Sequence, residues 1–317
     1  MIFLQCVPKD NFFIWQLSVQ ITNFRKFGVS DKMEVIVWYP KGYSDFSEWA
    51  SLEATYPEVK FFYYEDSGVN LELYIPQLRP HSMKKHFKKH ANRLKGKIFF
   101  YHDSDIIFNY LPDFEELCSD NVCWQSDCNS YLDYSYMRRK EDQGGMVPEE
   151  GVKIMAEIGE ITLEIIKSYD GNTGGAQNIL KNIDAEYWED VEKMCIKIRE
   201  KFFFGVQGSI NNKYFKSEND GWQSWTCDMW ALNFALWKRN ISTSNTPKLD
   251  FSWATSLYEE YLKKPIFHLA GATRGTLGTF YKGAWIDKSP IGSPELKEPL
   301  KNNASWIYWK AIKDVEK

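Results

Sequence analysis

Cysteine is scarce in this sequence and follows no recognisable pattern. The 317 residues include 6 cysteines, too few for a chain of this size to be a disulfide-stapled scaffold. Cys118, Cys123 and Cys128 recur at a constant interval that matches no common zinc or iron–sulfur motif. We therefore expect free thiols in a reducing environment.

Long hydrophobic runs are missing as well. The apolar stretch at residues 1–7 is too short for a signal-peptide core, and no window approaches the length of a membrane span. The chain also has no internal repeat, low-complexity tract or long Gly/Ser linker. The expectation is a cytoplasmic protein with no membrane association and no obligate protein partner, folded as a single domain over residues 1–317.

An overall excess of positive charge, which would favour a polyanionic partner, is absent too. The formal net charge is −4. The local exception is a basic segment at residues 81–97, rich in Lys, Arg and His. This segment has two interpretations: the solvated face of a helix, or a footprint for phosphate or nucleic acid.

Short apolar runs alternate with helical patterns through the first part of the chain. Strands are predicted at residues 2–7, 34–39, 59–64 and 97–102, with helices at 14–27, 46–56 and 80–94. The run at 97–102 is apolar on both faces, as a central parallel strand should be. This alternation predicts an α/β fold with a mixed, mainly parallel sheet flanked by helices, and ligands beyond the carboxyl ends of its strands.

The remainder of the chain is richer in helix. Its predicted elements are helices at 149–169, 184–203 and 228–238 and a short strand at 266–270. We therefore predict a nucleotide-binding half, residues 1–110, fused to a more helical half, residues 111–317, that shapes the acceptor and sugar site.

The strongest chemical signal is an Asp-Ser-Asp sequence directly after the apolar run at 97–102. Asp103 and Asp105 are one residue apart at the end of a predicted strand, where both carboxylates can reach one hard cation. Mg²⁺ or Mn²⁺ bound there would keep positions open for phosphate oxygens. The alternative is an Asp-rich turn that caps the strand.

A histidine and a lysine far along the chain complete a candidate ligand set. His268 leaves the short strand predicted at 266–270, and Gly271 follows it. This placement fits a third metal ligand beside a tight turn, although a lone histidine is more often structural. Lys282 follows later and is suited to bind a diphosphate as a point charge.

Two further segments carry candidate site residues. Gly174 and Gly175 permit a close approach of backbone to a ligand, and Gln177 can bond sugar hydroxyls; a simple turn is the alternative. Asp228 opens an apolar helix. It fits either a base that acts on an acceptor hydroxyl or a residue that caps the helix.

In their order along the chain, these features resemble the GT-A family of metal-dependent glycosyltransferases. The resemblance implies a Rossmann-like sheet, Mn²⁺ or Mg²⁺ bound by Asp103, Asp105 and His268, and a nucleoside-diphosphate sugar as donor, with a UDP-sugar expected. It implies a phosphate contact for Lys282 and a catalytic role for Asp228.

Further site residues are predicted on the same comparison. Asp127 follows the Asp-Ser-Asp sequence at a distance where related enzymes shape the sugar pocket, so it is a second catalytic or donor-sugar candidate, with turn formation as the alternative. The residues predicted to bind the donor, besides Asp103 and Lys282, are Val7, Arg79, Ser104, Gly174, Gly175 and Gln177.

The acceptor is the most open part of the prediction. Residues 15–16, 79–80 and 229–231 look similar to hydroxyproline arabinosyltransferase-like sequences and to transferases encoded by large DNA phages. With the basic segment 81–97, this implies 5-hydroxymethylcytosine in phage DNA as acceptor for arabinosyl or glucosyl transfer; a glycan or protein hydroxyl is the alternative. Two other functions are open: a module that binds a nucleotide sugar without catalysis, and a nucleotidyltransferase. The sequence shows no glycine-rich, basic N-terminal loop of the kind that would bind a triphosphate, which weighs against the nucleotidyltransferase.

Overall fold

The chain folds into two compact units. In this computed structural model the described residues are 1–66, 68–69, 74–204, 209–211, 213–214 and 221–316. The first unit comprises Met1–Glu65, Phe99–Leu117 and Pro247–Lys317, and the second comprises Asp66–Ile98 and Cys118–Thr246. The predicted single domain, with halves meeting at residue 110, remains a prediction.

The strands are short and are distributed along the whole chain. In chain order they are β1 (Ile2–Pro8), β2 (Met33–Pro40), β3 (Lys60–Asp66), β4 (Phe99–Tyr101), β5 (Ile106–Phe108), β6 (Cys123–Asp127), β7 (Gly174–Leu180), β8 (Phe203–Phe204), β9 (Ser209–Ile210), β10 (Thr243–Asn245), β11 (Phe251–Trp253) and β12 (Ile266–His268).

Helices fill most of the intervals between the strands. In chain order they are α1 (Asn11–Lys26), α2 (Ser47–Thr55), α3 (Leu78–Lys89), α4 (Ala91–Leu94), α5 (Phe114–Cys118), α6 (Asn129–Leu132), α7 (Tyr134–Gly144), α8 (Glu150–Gly159), α9 (Leu163–Ser168), α10 (Ala185–Phe202), α11 (Cys227–Lys238), α12 (Tyr258–Tyr261) and α13 (Ser305–Val315). Across the described part of the chain, no helix combines the length and apolar character needed to cross a membrane.

The first unit contains parallel strands in the order β4-β1-β2, with β3 beside β2. β1 is buried along almost its whole length, because it pairs with β2 on one side and β4 on the other. A smaller sheet, β11-β12-β5, has a parallel pair and an antiparallel pair: β11 runs parallel to β12, and β12 runs antiparallel to β5.

Helix α1 packs against α13 and against β5 of the smaller sheet, and its Phe24 ring contacts Phe3 of β1. Its start is fixed by Asp10, whose carboxylate accepts a hydrogen bond from the Phe12 amide at 2.7 Å, and its end by Gly28 in the left-handed conformation. Trp15 and Val19 join the core that also contains Phe267 and Tyr308. This apolar packing anchors the helix that borders the site described below.

The second unit combines a mixed set of strands with a helical core. β6 pairs parallel with β10 and antiparallel with β7. α10 packs against α3 and α11. The buried ring of Trp188 lies beside Phe87 of α3, and the Tyr187 hydroxyl donates a hydrogen bond to the Leu232 backbone oxygen of α11 at 3.3 Å. Asp184 begins α10 by accepting a hydrogen bond from the Tyr187 amide at 2.8 Å.

The predicted fold class is confirmed: the protein is a mixed α/β protein with mainly parallel strands and flanking helices. Two predicted helices are each divided in the structure. The helix at 80–94 becomes α3 and α4, and the helix at 149–169 becomes α8 and α9, with Glu160 left-handed between them. For the glycine-containing segment at 172–178, the alternative of a simple turn is not what the structure shows, since its residues from Gly174 onward form β7.

An ion network connects α3 to α10 in the second unit. His81 lies between two carboxylates: its Nδ1 is 2.5 Å from Glu192, and its Nε2 contacts Asp66. Lys84 pairs with Glu192 at 2.5 Å, and Lys85 pairs with Asp66. Burial alone would lower the pKa of His81, but the two carboxylates outweigh it and raise that pKa. Burial would raise the pKa of each carboxylate, yet their cationic partners lower it.

This network predicts a pH-dependent contribution of His81 to stability. A raised histidine pKa stabilises the fold below about pH 6.5, and the contribution is lost as the pH rises through the folded-state pKa. The lowered carboxylate pKa values stabilise above about pH 4.5, and that contribution is lost on acidification. Replacing His81 by Gln should therefore lower the free energy of unfolding by about 1–2 kcal/mol between those limits and by less at pH 9.

Urea unfolding at about pH 5.5 and pH 9 measures the difference. Lys88→Gln, on the exposed face of the same helix, serves as the matched control and should change stability equally little at both values. A His81→Gln effect that is the same at both pH values would contradict the protonated bridge.

Candidate functional site

The Asp-Ser-Asp sequence lies in the loop that joins β4 to β5. Because β4 runs parallel to β1, this loop leaves the sheet at the carboxyl ends of the strands, the edge where ligands bind in such folds. The side chain of Asp105 is 4% exposed and that of Asp103 is 23% exposed. One carboxylate is thus nearly enclosed by protein, while the other is open to solvent on one side.

His268 is brought to this loop by strand pairing. β12 runs antiparallel to β5 with His268 opposite Ile106, so the imidazole lies directly beside the two acids. Its Nε2 atom is 3.5 Å from an oxygen of Asp103 and 3.3 Å from an oxygen of Asp105. Among the residues that the structure describes, these three form the one group of His, Cys, Asp and Glu side chains close enough to share a metal ion.

The spacing of these atoms suits a hard divalent cation. Ligand atoms of an octahedral Mg²⁺ site lie about 2.0–2.1 Å from the ion, so neighbouring ligands are about 3.0 Å apart. The three donor atoms lie within 4.8 Å of one another, and the two distances to the imidazole need only small side-chain adjustments. Two carboxylates with one imidazole suit Mn²⁺ or Mg²⁺, and three ligands leave positions for substrate oxygens.

Lys282 compensates the buried charge of Asp105. It begins a short 3-10 helix, Lys282–Trp285, and its ammonium pairs with the carboxylate oxygen of Asp105 that does not face His268. Burial would raise the pKa of Asp105, but the charges of Lys282 and His268 outweigh it and hold that pKa below its ordinary value. Asp105 is therefore a carboxylate, the form that binds a cation.

Ser104, in the middle of this loop, and Val7, near the end of β1, are both buried. The hydroxyl of Ser104 is buried and donates a hydrogen bond to Gln16 at 3.2 Å. Val7 is buried in β1, opposite Val37 of β2. The donor contacts predicted for Ser104 and Val7 remain predictions. Because both side chains are buried, the backbone atoms of these residues are better suited to contact a donor than the side chains are.

In the second unit, Asp228 is surrounded by polar partners. It lies in the first turn of α11, whose N-cap residue is Thr226, so the prediction that Asp228 is itself the cap has no support. Its carboxylate accepts a hydrogen bond from the Tyr74 hydroxyl at 2.8 Å and lies 3.6 Å from the guanidinium of Arg79. The structure therefore brings together two predicted site residues, Arg79 and Asp228.

The remaining predicted residues lie on β6 and β7 of the same unit. Asp127, exposed at the end of β6, is opposite Gly174. A Cβ atom on Gly174 would lie 2.6 Å from the backbone oxygen of Ser126, and one on Gly175 would overlap Met229. Both glycines thus leave room for neighbouring protein atoms. The donor contacts predicted for these glycines and for Gln177, which is buried, remain predictions.

Residues that the sequence analysis missed surround the acidic loop. The ring of Trp253 lies parallel to that of His268, with centroids 6.1 Å apart and an interplanar angle of 12°. Gln20 donates a hydrogen bond to the backbone oxygen of Asp103 at 2.8 Å. No local sequence motif identifies Trp253. The signal for Gln20 was present in the sequence, because polar residues recur along α1 at the spacing of one helix face.

Comparison with known proteins gives structural similarities only. No protein-family model and no curated protein matches the chain. The chain is similar over 99% of its length to the apo WbbM bifunctional glycosyltransferase (TM-score 0.47, 10% identity) and covers 49% of that chain, so it spans about half of WbbM. It is similar over 99% of its length to the galactosyltransferase LgtC in complex with donor and acceptor sugar analogs (TM-score 0.46, 12% identity, 95% of that chain). It is also similar over 84% to mouse xyloside xylosyltransferase 1 (TM-score 0.36, 10% identity, 96% of that chain).

The ion pair between Lys282 and Asp105 predicts opposite effects of one substitution on two ligands. Lys282→Met should strengthen Mn²⁺ binding to the nucleotide-free protein, because it removes a cation that competes for Asp105 and repels the metal. The same change should weaken binding of uridine diphosphate, because a point charge for the diphosphate is lost. Isothermal titration calorimetry measures both affinities.

Lys288→Met is a matched control, since Lys288 is an exposed lysine of the same segment that pairs with Glu295. It should alter neither affinity. A Lys282→Met protein that binds both ligands as the wild type does would contradict the placement of Lys282 in the site.

Proposed function

We propose that the protein is a metal-dependent glycosyltransferase that moves a sugar from a nucleoside-diphosphate sugar, a UDP-sugar by preference, to a hydroxyl acceptor. The observation that carries the proposal is the convergence of Asp103, Asp105 and His268 at the carboxyl edge of parallel strands, with Lys282 beside them. An anionic leaving group of two phosphates is the kind of substrate that a divalent cation and a lysine bind together.

The residues of the first unit have separable roles in this proposal. A divalent ion held by Asp103, Asp105 and His268 would offset the negative charge that develops on the departing nucleoside diphosphate. Lys282 is placed to exchange its contact with Asp105 for a phosphate oxygen once a metal binds. Trp253 keeps the imidazole of His268 in one orientation by stacking on it.

The candidates for sugar and acceptor contacts are charged residues predicted from the sequence. We assign Asp228, Arg79 and Asp127 to these contacts, because they combine charge with positions at a helix start or a strand end. Asp228 is held in place by Tyr74 and Arg79, which suits a carboxylate that must keep one orientation while it contacts a hydroxyl group.

The charge pattern favours a neutral acceptor, a glycan or protein hydroxyl, over DNA. The predicted DNA acceptor depends on the basic segment 81–97. Three of its cationic residues, His81, Lys84 and Lys85, are engaged with Asp66 and Glu192, which reduces the net positive charge of that part of the segment. Phosphate neutralisation dominates DNA affinity, so this loss weighs against an arabinosylated or glucosylated 5-hydroxymethylcytosine product.

Asp105→Asn tests the metal-dependent reaction. The change keeps the shape of the side chain but removes the charge of a metal ligand, so Mn²⁺-dependent release of UDP from a UDP-sugar should fall by at least about 100-fold. Asp31→Asn, an exposed aspartate of the first unit, is the control and should retain full activity. The measurement is nucleoside-diphosphate release over a panel of nucleotide sugars.

The same assay separates the alternatives. Unchanged turnover in Asp105→Asn, or in the wild type with EDTA, would refute the metal-dependent mechanism. Tight binding of the donor with Mn²⁺ but no hydrolysis or transfer would identify a binding module. Release of pyrophosphate in place of nucleoside diphosphate would identify a nucleotidyltransferase.

Salt dependence tests the choice of acceptor. Transfer to a neutral glycan should change little between about 50 and about 200 mM salt, whereas affinity for DNA through several phosphate contacts would fall by about 10³–10⁵-fold. Replacing the exposed Lys88, Lys95 and Lys97 by Gln should leave glycan transfer unchanged. Transfer to hydroxymethylated DNA that declines steeply with salt and in this triple variant would instead favour the DNA acceptor.

A further inference from the structure

One face of helix α1 carries three amide side chains that bond the acidic loop and the strand after it. Gln16, Gln20 and Asn23 are spaced so that they lie on neighbouring turns of the same helix face. Gln16 and Gln20 are buried, at 1% and 0% exposure. Buried amides on a helix that packs into an apolar core must have specific partners, since burial without hydrogen bonds is costly.

Gln20 has the central position in this arrangement. Its Nε2 atom donates to the backbone oxygen of Asp103 at 2.8 Å and approaches that of Ile106 at 3.3 Å. Its Oε1 atom in turn accepts a hydrogen bond from Gln5 at 2.8 Å. The amide therefore connects the two ends of the acidic loop to each other and to strand β1.

His102 reinforces the same backbone oxygen. Its Nδ1 atom donates to the carbonyl of Asp103 at 2.9 Å, and its ring is buried among Phe24 and Phe100. Two donors hold one carbonyl, which fixes the peptide plane that follows Asp103.

The other two amides hold the loop on either side. Gln16 accepts the hydrogen bond of the Ser104 hydroxyl at 3.2 Å. Asn23 bonds the backbone of Phe108 twice, donating to its oxygen at 3.1 Å and accepting from its nitrogen at 2.8 Å. The backbone of Asp105 is held from the opposite direction, since its oxygen accepts the amide of Leu269 at 2.9 Å.

We propose that Gln20, supported by Gln16 and Asn23, is a positioning residue for the candidate metal site. Its hydrogen bonds hold the main chain of the loop against α1, so that the carboxylates of Asp103 and Asp105 both face His268. The inference rests on the proposed function, because it assigns a purpose to a loop that is taken to bind a cation. Groups that orient metal ligands without touching the metal typically change metal affinity by about 10–100-fold when removed.

Gln20→Met tests this role. Methionine has a similar length and volume but donates no hydrogen bond, so the loop should lose its link to α1 while the core stays filled. Mn²⁺ binding is measured well below the melting temperature, as the loss of the EPR signal of the free ion. The Mn²⁺ affinity should weaken by about 10-fold or more. The EPR spectrum of the bound ion should also broaden, since ligand geometry becomes less uniform.

Asn109→Leu is the matched control. Asn109 follows β5 at the end opposite the acidic loop and donates two amide hydrogen bonds to the backbone oxygens of Tyr261 and Lys264 in the same unit. Its loss should lower the melting temperature to a similar degree and leave the Mn²⁺ affinity unchanged. Should Gln20→Met not fold, Gln16→Met is measured in its place, with a smaller loss expected because one hydrogen bond to the loop disappears.

The outcomes separate this inference from the function on which it rests. Wild-type protein that binds Mn²⁺, with Gln20→Met equal to it in affinity and spectrum, overturns the positioning role alone. Equal weakening in Gln20→Met and Asn109→Leu also overturns it, because general destabilisation then accounts for the loss. Wild-type protein that binds no Mn²⁺ overturns both the inference and the proposed function.

Discussion

The need to stabilise the buried carboxylate of Asp105 determines much of the site. An ionised group with so little exposure requires opposite charge within a few ångströms, which Lys282 supplies, while the imidazole of His268 contacts its other oxygen. Those two residues come from the C-terminal segment of the first unit, so the segment must fold back onto the loop after β4. Strand pairing between β12 and β5 and the packing of α13 on α1 maintain that arrangement. The site is therefore a consequence of how the first unit closes on itself.

The sequence predicts the parts of this fold that depend on local patterns. β1, β2 and β3 coincide with predicted runs to within two residues at each end, because a continuous apolar or aromatic stretch marks each of them. The Asp-Ser-Asp sequence is identifiable for the same reason: an acidic pair directly after a fully apolar strand lies at the sheet edge. Asp103, Asp105, His268 and Lys282 were all predicted from the sequence, and the structure brings them together.

Other features depend on tertiary contacts that no local pattern contains. For Gly174 and Gly175 the sequence left a ligand contact and a simple turn open, yet both residues lie in β7, where the space that their side chains would need is filled by neighbouring residues. No local pattern marks Gln16 and Gln20 as buried, yet both are, because the Ser104 hydroxyl and the backbone oxygen of Asp103 offer them partners. The division of the chain into two units with interleaved segments likewise depends on contacts between distant residues.

The strand pairing of His268 with Ile106 has a consequence for how the protein is made. The acidic loop leaves the ribosome long before the histidine and Lys282 do, so a nascent chain carries two clustered carboxylates without their counter-charges. Mutual repulsion and hydration keep such a pair open to solvent until the C-terminal segment is synthesised. On the proposed function, the three-residue ligand set is complete only once β12 pairs with β5, so cation loading would follow that pairing.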